Sequence, residues 1–461
     1  MTETPRRYTL AILEEQLALL QEAVFSKPDL EGAAYLLCGQ SATDNELRFL
    51  VREVIPVHES HYLKRESHAL SIDSASYASV AKKARSMKAG IVFVHSHPDG
   101  IPDFSPRDDG EEPKLMAFFQ NRVPDAHHGS LVVSSEPTFT GRAWTPKGWC
   151  TIGRIRVIGR RFRFLDQAPE KQSIPEFFDR QVRAFGPDIQ RLLQTLHVGV
   201  VGAGGTGSPI VEQLTRLGIG TLSIFDGDIF EDTNVNRVYG STTGDVGRNK
   251  AEMIGEHAKR IGTPTDVRFY PEYITNEETA KHLRECDVVF GCTDKHTPRG
   301  TLVRLALQYL IPLIDTAAMI NSENGLIREV IGRITVFYPG EACLFCRGRI
   351  SSRRIYLEGL SDTEWQKLAD EDYAPELETD DPAVITFTTA VASWAVSELL
   401  HRLTGFKGPD RKSSELLFFF NQDKESIRPN QESPDPECQC MCKTDWGRGD
   451  RRDFLGLTWS N

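Results

Sequence analysis

The stretch that most constrains the fold is LHVGVVGAGGTGSPIVEQLTRLGIGTLSIFDGD, from Leu196 to Asp228. An apolar run, a cluster of glycines, a helix-spaced run and a second apolar run follow one another, which is the order strand, tight turn, helix, strand. A doubly wound α/β domain is expected to begin here. Gly202, Gly204, Gly205 and Gly207, with Thr206 among them, let backbone N–H groups and a helix N-terminus approach phosphate oxygens closely. Asp226 stands about 20 residues further on, the position from which a carboxylate reaches a ribose, and Asp228 follows it.

A glycine turn alone says only nucleotide. The continuation DGDIFEDTNVNRVYGSTTGDVGRNKAEM separates ATP from a dinucleotide, because Asn234, Arg237 and Lys250 add amide and cationic contacts that suit a triphosphate. Further on, CDVVFGCTDKHTPRGTLV reads as a strand ending near Asp294, with Arg299 five residues later. A carboxylate at that sheet edge is placed to hold magnesium.

This set resembles the ThiF/MoeB superfamily of ubiquitin-activating-type adenylyltransferases over most of residues 175–420. The resemblance implies that Asp226 binds ribose, that Asn234, Arg237 and Lys250 bind the phosphates, and that Asp294 binds magnesium near the α-phosphate. Upstream, FFDRQVRAFG resembles the family helix whose arginine reaches into the partner subunit's ATP site, which implies a homodimer with Arg180 in that role. The implied reaction is attack of a protein's C-terminal carboxylate on the α-phosphate, giving an acyl-adenylate and pyrophosphate. The implied partner is a small ubiquitin-like or ThiS-like β-grasp protein, with a conjugating enzyme or a sulfur donor downstream.

A chain of 461 residues exceeds the roughly 250 to 300 at which a single core stops growing, so a second domain is expected. The reading is a first α/β domain over 1–165, a linker over 166–175, the nucleotide domain over 176–424 and an exposed arm over 425–461. In the first domain YTLAILEEQLALLQEAVF, from Tyr8, has apolar residues at helical spacing. EGAAYLLCGQ and ELRFLVREVIPV read as strands, SYASVAKKARSMK as a helix, GIVFVHSHP as a strand, EEPKLMAFFQNRV as a helix and GSLVVSS as a strand.

HSHPDGIPDFSPRDD, from His95 to Asp109, ends one of those strands. His95 and His97 alternate around Ser96, so both imidazoles point to one side, and Asp108 can return across the intervening loop. Two imidazoles, a carboxylate and a water make the open tetrahedral arrangement of catalytic zinc. The segment resembles the JAMM (JAB/MPN-type) metalloprotease motif at His95, His97, Pro98, Ser105 and Asp108. That resemblance implies zinc ligation by His95, His97 and Asp108, and a glutamate on an early strand as general acid/base, for which Glu31 of LEGAAYLLCG is the candidate. It also implies oxyanion stabilisation by the Ser105 hydroxyl, and peptidase or isopeptidase action after a ubiquitin-like C-terminus.

Five of the nine cysteines fall late in the chain. Cys343 and Cys346 form a C-x-x-C pair, and two of Cys438, Cys440 and Cys442 would complete a four-thiolate structural zinc site. DDPAVITFTTAVASWAVSELL lacks the thioester cysteine of true ubiquitin-activating enzymes. Three outcomes follow: the acyl group stays an adenylate, it passes to a thiol on another protein, or one of Cys438, Cys440 and Cys442 accepts it; the first two are the expectation. A formal charge of −11 gives no broad cationic field for nucleic acid or anionic lipid. No signal peptide and no run of about 18 apolar residues occurs, so a cytoplasmic location is expected. Three functions remain in play: a bifunctional peptidase and adenylyltransferase of a ubiquitin-like pathway, processing and activation of a sulfur carrier for biosynthesis, and a nucleotide-binding regulatory scaffold without turnover.

Overall fold

The computed structural model describes residues 6–98, 100, 102–135, 138–168, 173–370, 382–408, 411, 413–422, 424–429, 435–440, 442–457 and 459. The chain divides into two compact units, one of Met1–Lys171, Gln308–Leu310 and Trp446–Phe454, the other of Gln172–Leu307, Ile311–Asp445 and Leu455–Asn461.

The first unit contains β1 (Arg7–Leu13), α1 (Glu14–Val24), β2 (Ala33–Ala42), β3 (Glu46–Pro56), β4 (Tyr62–Arg65), β5 (Leu70–Ile72), α2 (Ser74–Met87), β6 (Gly90–Ser96), α3 (Pro106–Arg122), β7 (His128–Val133), β8 (Phe139–Thr145), β9 (Gly148–Ile158) and β10 (Phe162–Asp166). Eight strands form one sheet in the order β1-β3-β2-β6-β7-β8-β9-β10, and β1 also pairs with β9, which closes the sheet on itself. Strand side chains alternate between two cores. Ala34, Leu36 and Cys38 of β2 pack in the core that holds Leu20 and Val24 of α1, whereas Ala33, Tyr35 and Leu37 pack with Val80 and Ala84 of α2 and Phe119 of α3.

Two local expectations change here. Tyr8 to Leu13 is strand rather than the first turns of a helix. Leu10, Ala11, Ile12 and Leu13 are all buried, and a short apolar run covered on both faces suits a buried strand as well as a helix. Helix α3 starts at Pro106, five residues before the expected Glu111, because Ser105 and Asp108 form a capping box at its N-terminus. Asp108 thus sits on the first helical turn and not in a loop.

The second unit contains α4 (Asp179–Phe185), α5 (Pro187–Thr195), β11 (His197–Val201), α6 (Gly207–Leu217), β12 (Thr221–Phe225), α7 (Lys250–Arg260), β13 (Asp266–Tyr270), α8 (Glu277–Lys281), β14 (Val288–Gly291), α9 (His296–Tyr309), β15 (Leu313–Glu323), β16 (Leu326–Phe337), α10 (Ser352–Glu358), α11 (Asp362–Asp370), α12 (Ile385–Thr404), β17 (Ser413–Phe419) and β18 (Lys424–Pro429). The sheet order is β13-β12-β11-β14-β15-β16-β17-β18. The first five strands are parallel and the last three run as an antiparallel extension. The order therefore reverses between β11 and β14, and in such sheets the crevice at the strands' carboxyl ends there is the ligand site.

The expected arm over 425–461 is not an arm throughout. Residues 424–429 pair with β17 as the sheet's last strand, and the charged sequence read as exposed is what an edge strand carries against unwanted pairing. Trp446–Phe454 belongs to the first unit, where Gly449 forms a β-bridge with Gln40 and Asp450 Oδ2 accepts the Ala42 N–H at 2.6 Å. Among the described residues no helix is long and apolar enough to cross a membrane.

Candidate active sites

The glycine turn leaves β11 at the switch point of the second unit. Gly202 has φ +93°, and a Cβ there would lie 2.7 Å from the carbonyl oxygen of Cys292, just past β14. A Cβ on Gly207 would lie 1.7 Å from the Gly202 carbonyl oxygen. Only glycine fits either position. A Cβ on Gly204 would meet nothing, and one on Gly205 would meet the Arg237 side chain at 3.2 Å, so Arg237 lies along the turn. Thr206 is the N-cap residue of α6 without a side-chain cap bond.

Asp226 is buried at the end of β12 and braces this turn. Its Oδ2 accepts the Ala203 N–H at 2.6 Å and its Oδ1 accepts the Asp228 N–H at 2.8 Å. Burial nonetheless pushes its carboxyl up. Lys250 opens α7, and its Nζ lies 3.0 Å from Asp228 Oδ2. The Tyr273 hydroxyl donates to Asp228 Oδ1 at 2.6 Å, and Asn249 Nδ2 donates to the Asp226 and Asp228 carbonyls at 3.0 and 3.3 Å. Burial works against ionisation of Asp228, but the Tyr273 hydroxyl and the Lys250 ammonium outweigh it and hold the carboxyl low. A cleft of about 400 Å³ lies beside Gly227, Pro271, Tyr273 and Asn276.

The structure thus brings Asp226, Asp228, Lys250 and Arg237 to the glycine turn. Asn234 is buried, and its Oδ1 accepts the Glu231 N–H at 3.1 Å, so in this conformation it shapes the loop that presents Arg237. The Arg237 guanidinium donates to the Thr233 carbonyl and, at 3.3 Å, to Asn236 Oδ1. Asp294 is exposed three residues past β14, and Arg180 is exposed on α4. Tyr273 and Asn249 were not singled out from the sequence. Asn249 carries an N-cap signal before α7, but Tyr273 reaches Asp228 from 45 residues away with no local pattern to announce it.

In the first unit His95 and His97 flank Ser96 as the strand period requires, with ring centroids 5.1 Å apart. Nitrogens of both rings and an Asp108 oxygen lie within 4.8 Å of one another. His95 Nε2 is 3.4 Å from Asp108 Oδ1, and His97 Nε2 is 3.9 Å from Asp108 Oδ2 and from Glu31 Oε1. His95 is buried, yet Nε2 has no hydrogen-bond partner in the chain, an orphaned donor atom of the kind a metal satisfies. Burial opposes ionisation of Asp108, while His95 and the Ser105 groups outweigh it and keep the carboxyl well below its ordinary range.

Glu31 lies two residues ahead of β2 rather than within it. Gly32 places it: a Cβ there would be 2.2 Å from the Val24 carbonyl oxygen, so α1 and the chain before β2 can approach only through glycine. The Ser105 hydroxyl donates to Asp108 Oδ2 at 2.7 Å. In this conformation its proton is committed to holding the ligand, not offered to an oxyanion.

The thiols of Cys343, Cys346, Cys438 and Cys442 form a third cluster, with Sγ–Sγ distances of 3.7, 3.5 and 3.6 Å. A tetrahedron with Zn–S bonds of about 2.3 Å has edges of about 3.8 Å, so the four can bind a structural zinc. Cys440 is buried but falls outside this set, which corrects its place among the expected ligands.

Comparison with known proteins adds the following. A model described as the ThiF family matches residues 178–442. The chain is 31% identical over 148 residues to "Adenylyltransferase and sulfurtransferase UBA4" of Meyerozyma guilliermondii, covering 32% of this chain and 33% of that one. It is 34% identical over 122 residues to the "tRNA threonylcarbamoyladenosine dehydratase" of Haemophilus influenzae, covering 26% and 47%. It is 30% identical over 169 residues to the "Sulfur carrier protein adenylyltransferase" of Thermus thermophilus, covering 35% and 59%. The matches span about a third to three-fifths of these relatives' lengths. Because the family match takes in more than half of its residues, the chain belongs to the ThiF family.

Proposed function

We propose that the chain activates the C-terminal carboxylate of a small β-grasp sulfur-carrier protein by ATP-dependent adenylation, and that its first unit is a JAMM-type zinc peptidase that exposes that carboxylate. The observation that carries the first half is the joining of Asp226, Asp228 and Lys250 to a ThiF-family glycine turn at the sheet's switch point. Two of the three relatives named above are adenylyltransferases of the sulfur-carrier or sulfurtransferase kind, which favours a sulfur carrier over a conjugated ubiquitin-like protein. A tRNA substrate, as in the dehydratase, fits poorly with a net charge of −11.

On this reading the glycine turn takes the phosphates of ATP, Asp226 takes the ribose, and Lys250 and Arg237 offset negative charge at the α-phosphate. Asp294 would hold magnesium, which supplies further charge neutralisation. A carboxylate oxygen of the carrier bonds to the α-phosphorus as the bond to the pyrophosphate oxygen breaks. No cysteine lies in α12, so the acyl-adenylate leaves for a thiol or sulfur donor elsewhere.

In the first unit His95, His97 and Asp108 would hold zinc, which supplies Lewis acidity toward the scissile carbonyl and a more acidic water. Glu31 accepts the water's proton and returns it to the leaving amine. The Ser105 hydroxyl and N–H both donate to Asp108 Oδ2 at 2.7 Å, which orients the carboxylate as a ligand.

The test uses the full chain with ATP, magnesium and β-grasp carriers, each made with a mature Gly-Gly end or with extra residues beyond it. Pyrophosphate exchange with the mature form, and with the extended form only after trimming, is expected. No exchange with any carrier would favour a scaffold that binds nucleotide without turnover.

A further inference from the structure

Glu112 lies on α3 at 4% exposure, and its Oε1 has no hydrogen-bond partner in the chain. Its other oxygen is fixed: Arg142 Nη1 donates to Oε2 at 3.3 Å. Arg142 is itself clamped, with Nη2 2.8 Å from Asp109 and the guanidinium 3.8 Å from the centre of the Phe104 ring and 4.6 Å from that of Trp149. Arg142 thus holds one oxygen of the carboxylate, and the other is buried without a hydrogen bond.

His95 supplies the complement. Both of its ring nitrogens are buried and without hydrogen-bond partners. Nε2 faces Asp108 Oδ1 and belongs to the three-donor cluster, which leaves Nδ1 on the other flank of the ring. Asp108 and Glu112 are four residues apart on one helix and so share a face, one turn from each other. Phe104, over which Arg142 stacks, lies edge-on to the His95 ring with centroids 6.2 Å apart, so the Arg142 that holds Glu112 and the imidazole border the same aromatic ring.

We propose that Glu112 is a positioning residue for the metal centre: once the cation is bound, its Oε1, which makes no hydrogen bond in this structure, accepts the Nδ1–H of His95, fixing the ring with Nε2 unprotonated toward the cation. This rests on the metallopeptidase reading. Metal-bound histidines commonly donate their second N–H to a carboxylate, and losing that partner costs 10- to 100-fold in metal affinity or activity.

The experiment is zinc affinity of the full chain by chelator competition, with imidazole ¹⁵N spectra of ¹⁵N-histidine-labelled zinc-loaded protein. His97→Ala identifies which bound zinc belongs to this cluster. Glu112→Leu is expected to weaken that zinc by about 100-fold and Glu112→Gln, which keeps an acceptor oxygen, by about 10-fold. The cysteine-bound zinc stays unchanged in both. The spectra should show His95 protonated at Nδ1, with the proton strongly shifted in the parent chain and no longer so in Glu112→Leu. If Glu112→Leu does not fold, Glu112→Gln decides alone. Unchanged affinity and spectra in the folded variants overturn the role of Glu112 while leaving the metal site standing. Absence from the parent chain of any zinc that His97→Ala removes overturns the metallopeptidase reading and the inference with it.

Discussion

Ser96 Oγ accepts the Gly32 N–H at 2.9 Å, and it also donates to the Val24 carbonyl at 2.8 Å. The residue between the two histidines thus points away from them and ties down the backbone that carries Glu31. Ser96 is fully buried, so Ser96→Ala strands an N–H and a carbonyl and is expected to cost about 1–3 kcal/mol. Urea unfolding should show that loss, with carrier trimming reduced and pyrophosphate exchange on mature carrier retained. Equal loss of both activities would mean that Ser96 supports the whole chain, not the peptidase geometry.

Tyr273 gives a pH prediction for the other unit. Its hydroxyl, with Lys250, keeps the Asp228 carboxyl below its ordinary value against the pull of burial. Removing the hydroxyl in Tyr273→Phe raises the Asp228 pKa, so protonation sets in at a higher pH as the solution is acidified. The acid limb of the exchange activity should move upward in pH while the neutral plateau changes less. A profile that merely drops at every pH would assign Tyr273 to packing over Gly227, against which a Cβ would sit 2.7 Å from its ring.

These contacts show which parts of the site are written in local sequence. Gly202 and Gly207 are legible because backbone approach excludes every other residue there, and His95 and His97 because a strand has a period of two. The Ser105–Asp108 capping box was also local, an S-x-x-D signal, yet the prolines around it make the segment look like a loop. Leu10 to Leu13 misleads because apolar periodicity cannot separate a doubly covered strand from a helix. Tyr273 and Asp228, 45 residues apart, meet only through the turns that follow β13 and β12, and nothing near either residue encodes the pairing.

The cysteine cluster separates four thiols from a fifth. Cys343→Ser should lower the zinc content of the purified chain by one ion per chain and destabilise the second unit. Cys440→Ser should leave both unchanged, because Cys440 lies outside the four-thiol set. Metal analysis beside thermal unfolding checks this, and an equal zinc loss in Cys440→Ser would mean the late cysteines exchange places.

A buried ion network in the first unit makes acid stability predictable. Glu46 accepts from Thr9 at 2.8 Å and pairs with Arg48 at 2.7 Å and Arg156 at 2.9 Å, all of them buried. Burial opposes ionisation of Glu46, but the two guanidiniums outweigh it and hold the carboxyl well below the usual range. Its folded pKa is therefore depressed, so the stabilisation is present above the unfolded value of about 4.3 and is lost as the pH falls below that toward the folded value. Glu46→Gln leaves two buried guanidiniums without their counter-charge and should cost about 3–5 kcal/mol at neutral pH. The same change removes one titrating group, so stability of the variant should fall less steeply between about pH 4 and about pH 3 than that of the parent chain, a window in which Glu46 is mostly protonated when unfolded and still ionised when folded. Urea midpoints at neutral pH and at those two acid values measure both effects. Parallel acid slopes in the two proteins would show that carboxylates other than Glu46 govern the acid transition.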